Sequence, residues 1–211
     1  ILDAPYFHVV FTMPEQLHML IYHNQKLLYD LMYKAVAETL MELSADKKYL
    51  GAQIGFFSVL HTWGQDLHYH PHIHSVVLAG GLSKQNQWRE TSKKFFIPVK
   101  VLSKKFRGKF LDYLKQYYKQ NQLNFYNDTK IYKDPKRFQE LVDQCYKINW
   151  YSYTKRTFSG PLAVVKYLGR YTHRIAISNH RIISSDKETV KIQVKDYKNS
   201  NQIKALTMKT V

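Results

Sequence analysis

Apolar and polar residues alternate with a period of two in several stretches of the chain, and each stretch predicts a β-strand. Three of them dominate: Tyr6–Met13, which Pro14 ends, then Ile54–Trp63, and His72–Ala79, which Gly80 and Gly81 close. The polar segment 64–69 is short enough to turn the last two back on each other as a hairpin, and both should pair centrally with the first. Further strands are predicted at Phe95–Leu102 (an edge strand, because it contains Pro98), Trp150–Lys155, Arg174–Ser178, Arg181–Ile183 and Thr189–Val194.

A period near 3.6 predicts the helices. The longest covers Gln16–Leu43, and another covers Arg137–Tyr146. Between them, Ser103 is expected to cap a helix that runs through Phe106 and Phe110 to Tyr118. A last helix begins at Ser159-Gly160-Pro161, with proline in its first turn, and continues to Tyr171. The polar segments 84–94 and 119–135 are predicted to be a loop and an irregular region.

The composition limits the class of protein. With 211 residues and 45% hydrophobic content, the chain can form one sizeable core, or a core with a subdomain. It has no apolar run of about 18 residues and no signal-peptide pattern. Its single cysteine, Cys145, excludes an internal disulfide framework and suits a reducing cytoplasm. The chain starts at Ile1 and ends in a predicted strand, so we interpret it as a fragment of a longer protein.

Positive charge is concentrated in two blocks of the sequence. The chain has 32 Lys and Arg against 16 Asp and Glu, a net charge of +16. Residues 93–137 contribute 13 basic and 3 acidic side chains and residues 151–211 contribute 12 and 3, whereas residues 1–92 contribute 6 and 8. Such asymmetry indicates a polyanionic partner. The 17 Tyr and 11 Phe among these bases are typical of proteins that bind single-stranded nucleic acid.

Histidines in the predicted hairpin suggest a metal site. His72 and His74 are two apart on one strand, so their side chains share a face. If His61 pairs opposite either of them, the turn centres near residue 67 and three imidazoles converge, enough to hold a divalent metal with positions left open for substrate. They could instead be surface histidines or a structural zinc site. The zinc alternative is disfavoured, because closed zinc sites usually recruit cysteines.

Two tyrosines provide a second piece of chemistry. Tyr167 and Tyr171 are four residues apart on a predicted helix, which places both phenols on one face. A tyrosine attacks a phosphodiester only if its phenol, with a pKa of about 10, is activated and the phosphate is polarised. Cations lie close in sequence: Lys166, Arg170, His173 and Arg174. Taken alone, the two tyrosines could simply be amphipathic residues at the edge of a core. Together with the three histidines and the basic chain, the pair indicates two nucleophiles.

These two segments resemble a known family. His61-Thr-Trp-Gly-Gln65 with His70-Pro-His-Ile-His74, and then Tyr167-Leu-Gly-Arg-Tyr171-Thr-His-Arg-Ile-Ala-Ile-Ser-Asn179, are similar to the two-tyrosine HUH transposases of rolling-circle insertion sequences, relatives of the Helitron transposases. The blocks occur in the expected order, roughly 90 residues apart, and the resemblance extends from about Tyr6 to Val211. Family members commonly carry an N-terminal cysteine-rich zinc module, and this sequence contains none.

The resemblance implies an α+β fold, the HUH endonuclease fold: a central antiparallel β-sheet with an RRM-like core, flanked by helices. Residues 1–211 would form one catalytic domain with a basic insertion around 84–135. By the match, His72 and His74 hold a divalent metal, Mg2+ or Mn2+, and His61 fits the third ligand, although His70 or Gln65 could take that role. Tyr167 and Tyr171 are the implied nucleophiles.

The implied reaction is metal-assisted transesterification of single-stranded DNA at the element's ends, which could include a hairpin, in a bacterial cytoplasm. A relaxase or replication initiator with the same chemistry is one alternative, and a non-enzymatic single-strand-binding module is another. Three further side chains are candidates for a ligand or phosphate contact: Gln65, His70 and His173. The candidate DNA contacts are Lys104, Lys105, Arg107, Lys109, Lys166, Arg170 and Arg174.

Overall fold

A five-stranded antiparallel sheet forms the centre of the molecule. In the computed structural model, the described residues are 4–64, 66–91, 97–158, 166, 177–196 and 202–209. The strands are β1 (Tyr6–Thr12), β2 (Gln53–Trp63), β3 (Tyr69–Leu82), β4 (Trp88–Glu90) and β5 (Ser152–Phe158). Their order is β2-β3-β1-β5, with β4 also paired to β3. The predicted pairing with the first strand is therefore confirmed for β3, whereas β2 lies one strand further out and pairs with β3.

Helices cover one face of this sheet. They are α1 (His18–His23), α2 (Gln25–Ala45), α3 (Val99–Lys119) and α4 (Pro135–Lys147). The main core lies between the two layers, because Phe7, Val9 and Phe11 of β1 and Ile73 of β3 are buried together with the apolar sides of the helices. The Phe11 ring packs 5.1 Å from that of Phe106 in α3. The α+β fold class, an antiparallel sheet flanked by helices, is confirmed.

The long N-terminal helix is broken in a way that the periodicity does not predict. Asn24 separates α1 from α2 and is almost fully buried. Its amide donates to the carbonyls of Leu20 (2.9 Å) and Asn124 (2.8 Å), and its side-chain oxygen accepts from the Asn124 amide (2.7 Å). The Asn24 side chain thus forms hydrogen bonds with backbone groups of the helix and of the loop that would otherwise lack a partner. Asn24 itself does not have helical backbone angles.

Two predictions between the hairpin and α3 are wrong. The Val99–Leu102 part of the predicted edge strand is helical, because Pro98 precedes the first turn of α3, where a missing N–H costs no hydrogen bond. The helical spacing of Leu102 and Phe106 continues the pattern upstream. Ser103 is consequently inside the helix, where its hydroxyl donates to the Val99 carbonyl (2.9 Å) rather than capping the N-terminus.

The segment 84–94 is not a plain loop, because it contains β4. The glycines predicted to close the preceding strand lie within β3, and Gly80 pairs with Glu90 of β4. A Cβ at Gly80 would collide with the Trp88 side chain and the Arg89 carbonyl, so glycine permits this close approach. The segment 119–135 is irregular as predicted, apart from a 3-10 helix at Asn127–Lys133.

A three-stranded antiparallel sheet follows near the end of the chain, with the order β6 (Ile182–Ser185), β7 (Thr189–Asp196) and β8 (Gln202–Lys209). It confirms the strands predicted around Ile182 and at Thr189–Val194. Most of the strand predicted at Arg174–Ser178 and nearly all of the helix predicted from Ser159 lie outside the described residues. Within the described part of the chain, no helix combines the length and apolar character needed to span a bilayer.

Candidate metal centre

The predicted hairpin joins β2 to β3. His61 lies directly opposite His72 in the antiparallel ladder. The turn is held by hydrogen bonds from the Gly64 amide to the His68 carbonyl (3.0 Å) and from the Leu67 amide to the Gly64 carbonyl (3.2 Å). Leu67 has a φ of 63°, in the left-handed region that tight turns require. The predicted turn near residue 67 is thus confirmed.

Three imidazoles converge on the sheet face opposite the one that α1–α4 cover, and we call it the histidine face. One ring nitrogen from each of His61, His72 and His74 lies within 4.8 Å of those of the other two. The ring centroids are 4.6 Å apart for His61 and His74, 4.8 Å for His72 and His74, and 5.5 Å for His61 and His72. Among the described residues, no other group of three or more His, Cys, Asp or Glu side chains could hold a metal ion.

Hydrogen bonds behind two of these rings affect which nitrogen a metal could use. His72 Nδ1 lies 2.6 Å from the His70 carbonyl oxygen. Because a carbonyl only accepts, Nδ1 carries the proton and Nε2 of His72 keeps its lone pair. His74 Nδ1 lies 2.8 Å from His8 Nε2, and the two rings are nearly parallel, with an interplanar angle of 12° and centroids 5.0 Å apart.

His8 is a site residue that the sequence analysis missed. It lies on β1, which pairs with β3 so that Val10 is opposite His74. Burial lowers the pKa of His8 to about 4, so the ring is neutral near neutral pH. The alternation in Tyr6–Met13 already places His8 on the face opposite Phe7 and Val9. Its approach to His74, however, depends on the register in which β1 pairs with β3, which the strand's own pattern does not specify.

The donor set fits a catalytic divalent ion. Three neutral imidazoles are good ligands for divalent transition metals, and three protein ligands leave coordination positions for water or substrate. A closed structural zinc site would need a fourth protein ligand. Within the described residues, the group of His61, His72 and His74 includes no cysteine or carboxylate.

β5 extends the histidine face beyond β1. Tyr153 pairs with Val10, and Lys155 pairs with His8, so both side chains project on the same side as the three histidines. Tyr153 is 38% exposed, and its ring lies 6.2 Å from that of His8. Lys155 is also exposed. An aromatic ring and a cation thus lie on β5, with β1 between them and the strands of the candidate metal centre.

A row of rings, which we call the ring row, leads away from His72 across β3 and α1. The His70 ring is 5.3 Å from that of His72 and 5.6 Å from that of His18. The His18 ring is 6.0 Å from that of Tyr69, which is 5.3 Å from that of Tyr22. Burial lowers the pKa of both His18 and His70, so this part of the row is largely uncharged.

The ring row continues from Tyr22 to His23 (5.7 Å) and from His23 to Tyr126 (5.6 Å). Tyr22 and Tyr126 are 51% and 52% exposed. Of the other predicted ligands, His70 contributes its backbone carbonyl to His72 and its ring to this row, and it does not belong to the group of three. Gln65 lies outside the described residues.

The basic residues of α3 lie on the other side of the sheet, in the helix layer. Lys105 Nζ is 2.7 Å from a Glu42 carboxylate oxygen, and Lys109 pairs with Glu38 (3.0 Å) and also with Glu42. The Lys105 and Lys109 hydrogen bonds hold the pKa of Glu42 below its usual range. Arg107 donates to the Ile148 carbonyl (2.9 Å). These three cations therefore link α3 to α2 and to the end of α4.

Lys104 is exposed, and among the described residues it takes part in no ion pair. Of the predicted cations nearer the C-terminus, Lys166 is described and exposed. The remaining predicted residues lie outside the described residues: Tyr167, Arg170, Tyr171, His173 and Arg174.

Comparison with known proteins places the histidines inside a defined family. Residues 55–211 match the family Y2_Tnp, whose description is "Putative transposase". The chain is 43% identical over its full length to "Putative transposase y4qJ" of Sinorhizobium fredii, covering 53% of that protein. It is 29% identical over 180 residues, 85% of the chain, to the transposase for insertion sequence element IS801 of Pseudomonas savastanoi pv. phaseolicola, covering 42% of that protein. The chain thus spans about half the length of these relatives.

Solved structures of the conjugative relaxase TrwC in complex with oriT DNA show a distant likeness. The metal-bound complex is 14% identical, with a TM-score of 0.42, and the match covers 81% of this chain and 72% of that chain. A complex with a 27-mer that comprises the recognition hairpin and the cleavage site is 17% identical, with a TM-score of 0.41, covering 52% and 44%. A likeness of this size assigns neither fold nor function.

Proposed function

The chain belongs to the Y2_Tnp transposase family, and from this premise we propose that it is the catalytic part of an HUH single-strand DNA transposase. It cuts one strand by tyrosine transesterification and rejoins it during rolling-circle transposition. The convergence of His61, His72 and His74 on the histidine face, inside the matched segment, carries this proposal. The expected substrate is single-stranded DNA at the element's ends, hairpins included, and the setting is a bacterial cytoplasm. The catalytic domain covers residues 1–211, with the basic segment 84–135 as an insertion.

In this proposal His72 and His74 hold a divalent ion with His61 as the third ligand. When bound, such an ion polarises the scissile phosphate and stabilises the charge that develops on it. Imidazole nitrogen favours Mn2+ or a later transition ion over Mg2+, which prefers oxygen ligands. Of the two ions that the resemblance implies, we therefore propose Mn2+.

Tyr167 or Tyr171 supplies the nucleophile. Its phenol gives up a proton, the phenolate oxygen attacks phosphorus, and the bond from phosphorus to the 3′ oxygen breaks. The departing 3′ oxygen takes up a proton from solvent, so the products are a 5′-phosphotyrosine and a free 3′-OH. Lys166 and Arg170, one step round the predicted helix, favour the phenolate by their charge. The covalent link retains the phosphodiester energy, so rejoining needs no ATP, and a second tyrosine can cut a second strand while the first stays attached.

A labelled single-stranded oligonucleotide carrying an element end tests this function. We expect Mn2+-dependent cleavage, with the protein attached to the 5′ end of the downstream fragment on a denaturing gel. Binding without cleavage at any metal concentration would support a single-strand-binding module instead. Undiminished cleavage in EDTA would contradict the proposed role of the histidines.

The ring row provides a stacking surface for bases next to the scissile phosphate. We expect Tyr22→Ala and Tyr126→Ala to weaken binding of single-stranded DNA by about 1–3 kcal/mol each, because each removes one exposed ring on which a base stacks. Fluorescence anisotropy with a labelled oligonucleotide measures this. Tyr146→Ala, which removes a 37% exposed tyrosine on α4, is the matched control. Equal affinities for all three variants and the unmodified protein would exclude the ring row as a DNA path.

Phosphate contacts should differ between the two sides of the sheet. We expect Lys155→Gln to reduce the slope of log K against log salt by about 1 for an oligonucleotide that just spans the cleavage site, because one cation on the histidine face is lost. Lys104→Gln should reduce the slope only for oligonucleotides long enough to pass round the sheet to α3. Lys47→Gln, which removes an exposed lysine just after α2, is the control. A slope independent of all three lysines would refute both contacts.

A further inference from the structure

We propose that His8 is a positioning residue that fixes the tautomer and ring orientation of His74, so that His74 presents Nε2 to a divalent ion. This inference rests on the proposed metal centre. It is carried by the pairing of β1 with β3, by the nearly parallel rings of His8 and His74, and by the 2.8 Å separation of His8 Nε2 from His74 Nδ1.

The proton count requires a specific arrangement. A neutral imidazole has one N–H, so a His74 that binds metal through Nε2 must carry its proton on Nδ1. That Nδ1–H then donates to His8 Nε2, and His8 must carry its own proton on Nδ1. His8 therefore acts as a hydrogen-bond acceptor, the role that outer partners of metal-bound histidines commonly fill.

The second member of the pair, His72, is held in the same way by a different kind of group. Its Nδ1 donates to the His70 carbonyl at 2.6 Å, which leaves Nε2 for the metal. Each HUH histidine thus has an acceptor behind its ring, one from the backbone and one from a side chain. A backbone carbonyl cannot be removed by a side-chain substitution, but the His8 imidazole can. Substitution of His8 therefore tests whether an acceptor on Nδ1 fixes the tautomer of a metal-binding histidine.

The geometry distinguishes this role from direct ligation. The nitrogen of His8 that approaches His74 meets Nδ1, and His8 is not part of the group of three whose nitrogens lie within 4.8 Å. The near-parallel rings, with an interplanar angle of 12°, also restrain the rotation of His74. His8 therefore sets how His74 is presented and adds no ligand of its own.

The test is Mn2+ affinity, measured from free Mn2+ by electron paramagnetic resonance, for the chain and four variants. His8→Leu removes the acceptor and should weaken Mn2+ binding by about 10–100-fold. His8→Gln places an amide oxygen near the position of Nε2 and should restore most of the affinity. His180→Leu, which replaces an exposed histidine on the 3-10 helix Asn179–Arg181, should bind like the unmodified chain, and His72→Ala should bind least.

A second readout follows the tautomer itself in the metal-free protein. Nitrogen-15 NMR of the imidazoles should show His74 protonated on Nδ1 in the unmodified chain and in His8→Gln, and a mixture of tautomers in His8→Leu. Equal Mn2+ affinity in His8→Leu would overturn the inference, as would equal losses in His8→Leu and His8→Gln. If the unmodified chain binds no Mn2+, the proposed metal centre itself fails, which separates the two failures.

Discussion

A chain in which His72 and His74 are both alanine is expected to cleave no DNA and yet to keep most of its affinity for single strands. The two imidazoles provide two of the three proposed ligands, so their loss removes the polarisation of the scissile phosphate. Lys and Arg contacts with phosphates supply most of the affinity, and they remain. Cleavage falls below detection in a gel assay with Mn2+, while anisotropy measures binding.

Two single variants refine this result. His61→Ala should reduce cleavage nearly as far as the double variant, because His61 lies directly opposite His72 and completes the group of three. His70→Ala keeps the backbone carbonyl that holds His72 and should retain substantial cleavage. If His70→Ala is as inactive as the double variant while His61→Ala is active, the third ligand is wrongly assigned. Full cleavage by the double variant would refute the metal centre altogether.

The sequence predicts the convergence of these three histidines because all three lie within one hairpin. Two residues apart on one strand, His72 and His74 must share a face, and a short turn brings His61 across from them. The shared face follows from the period of two along a strand, and the position of His61 follows from the length of the loop between the two strands. The same logic predicts the sheet face on which Ile73 is buried under the helices.

What the sequence does not predict depends on contacts between distant segments. His8 approaches His74 only because of the register in which β1 pairs with β3, and the alternation in β1 leaves that register open. Asn24 interrupts a helical pattern because it binds Asn124, which is distant in the chain. The start of α3 is not predicted for another reason. The apolar run around Pro98 is too short for its periodicity to distinguish a strand from a helix.

The basic block around α3 shows how charge can be over-interpreted. Its excess of lysine predicts a polyanion partner for the whole chain, but Lys105 and Lys109 are paired with Glu42 and Glu38 of α2. Those carboxylates lie in the acidic half of the sequence. A charge count for each segment therefore assigns the lysines and the glutamates to different segments, although they form ion pairs in the folded chain. The net charge remains +16, and salt dependence of binding still follows from it.

A chain with phenylalanine at both Tyr167 and Tyr171 is expected to form no covalent complex with DNA. Phenylalanine removes the attacking oxygen and leaves packing almost unchanged, so binding should persist. On the predicted helix the two phenols are about one turn, or ~6 Å, apart along the axis, and only one can be in line with a fixed phosphate. Each single variant should therefore retain some cleavage, unequal between the two, and lose complete transposition.

The covalent complex is measured on a denaturing gel of protein with labelled oligonucleotide, because a phosphotyrosine bond survives denaturation whereas non-covalent binding does not. Tyr22→Phe, which keeps its ring in the ring row, is the matched control and should form the adduct normally. An adduct that persists in the double variant would mean that another tyrosine attacks. Tyr153 would then be the first to test, because it lies on the histidine face with its ring 6.2 Å from that of His8, and Tyr151, 66% exposed just before β5, would be the second.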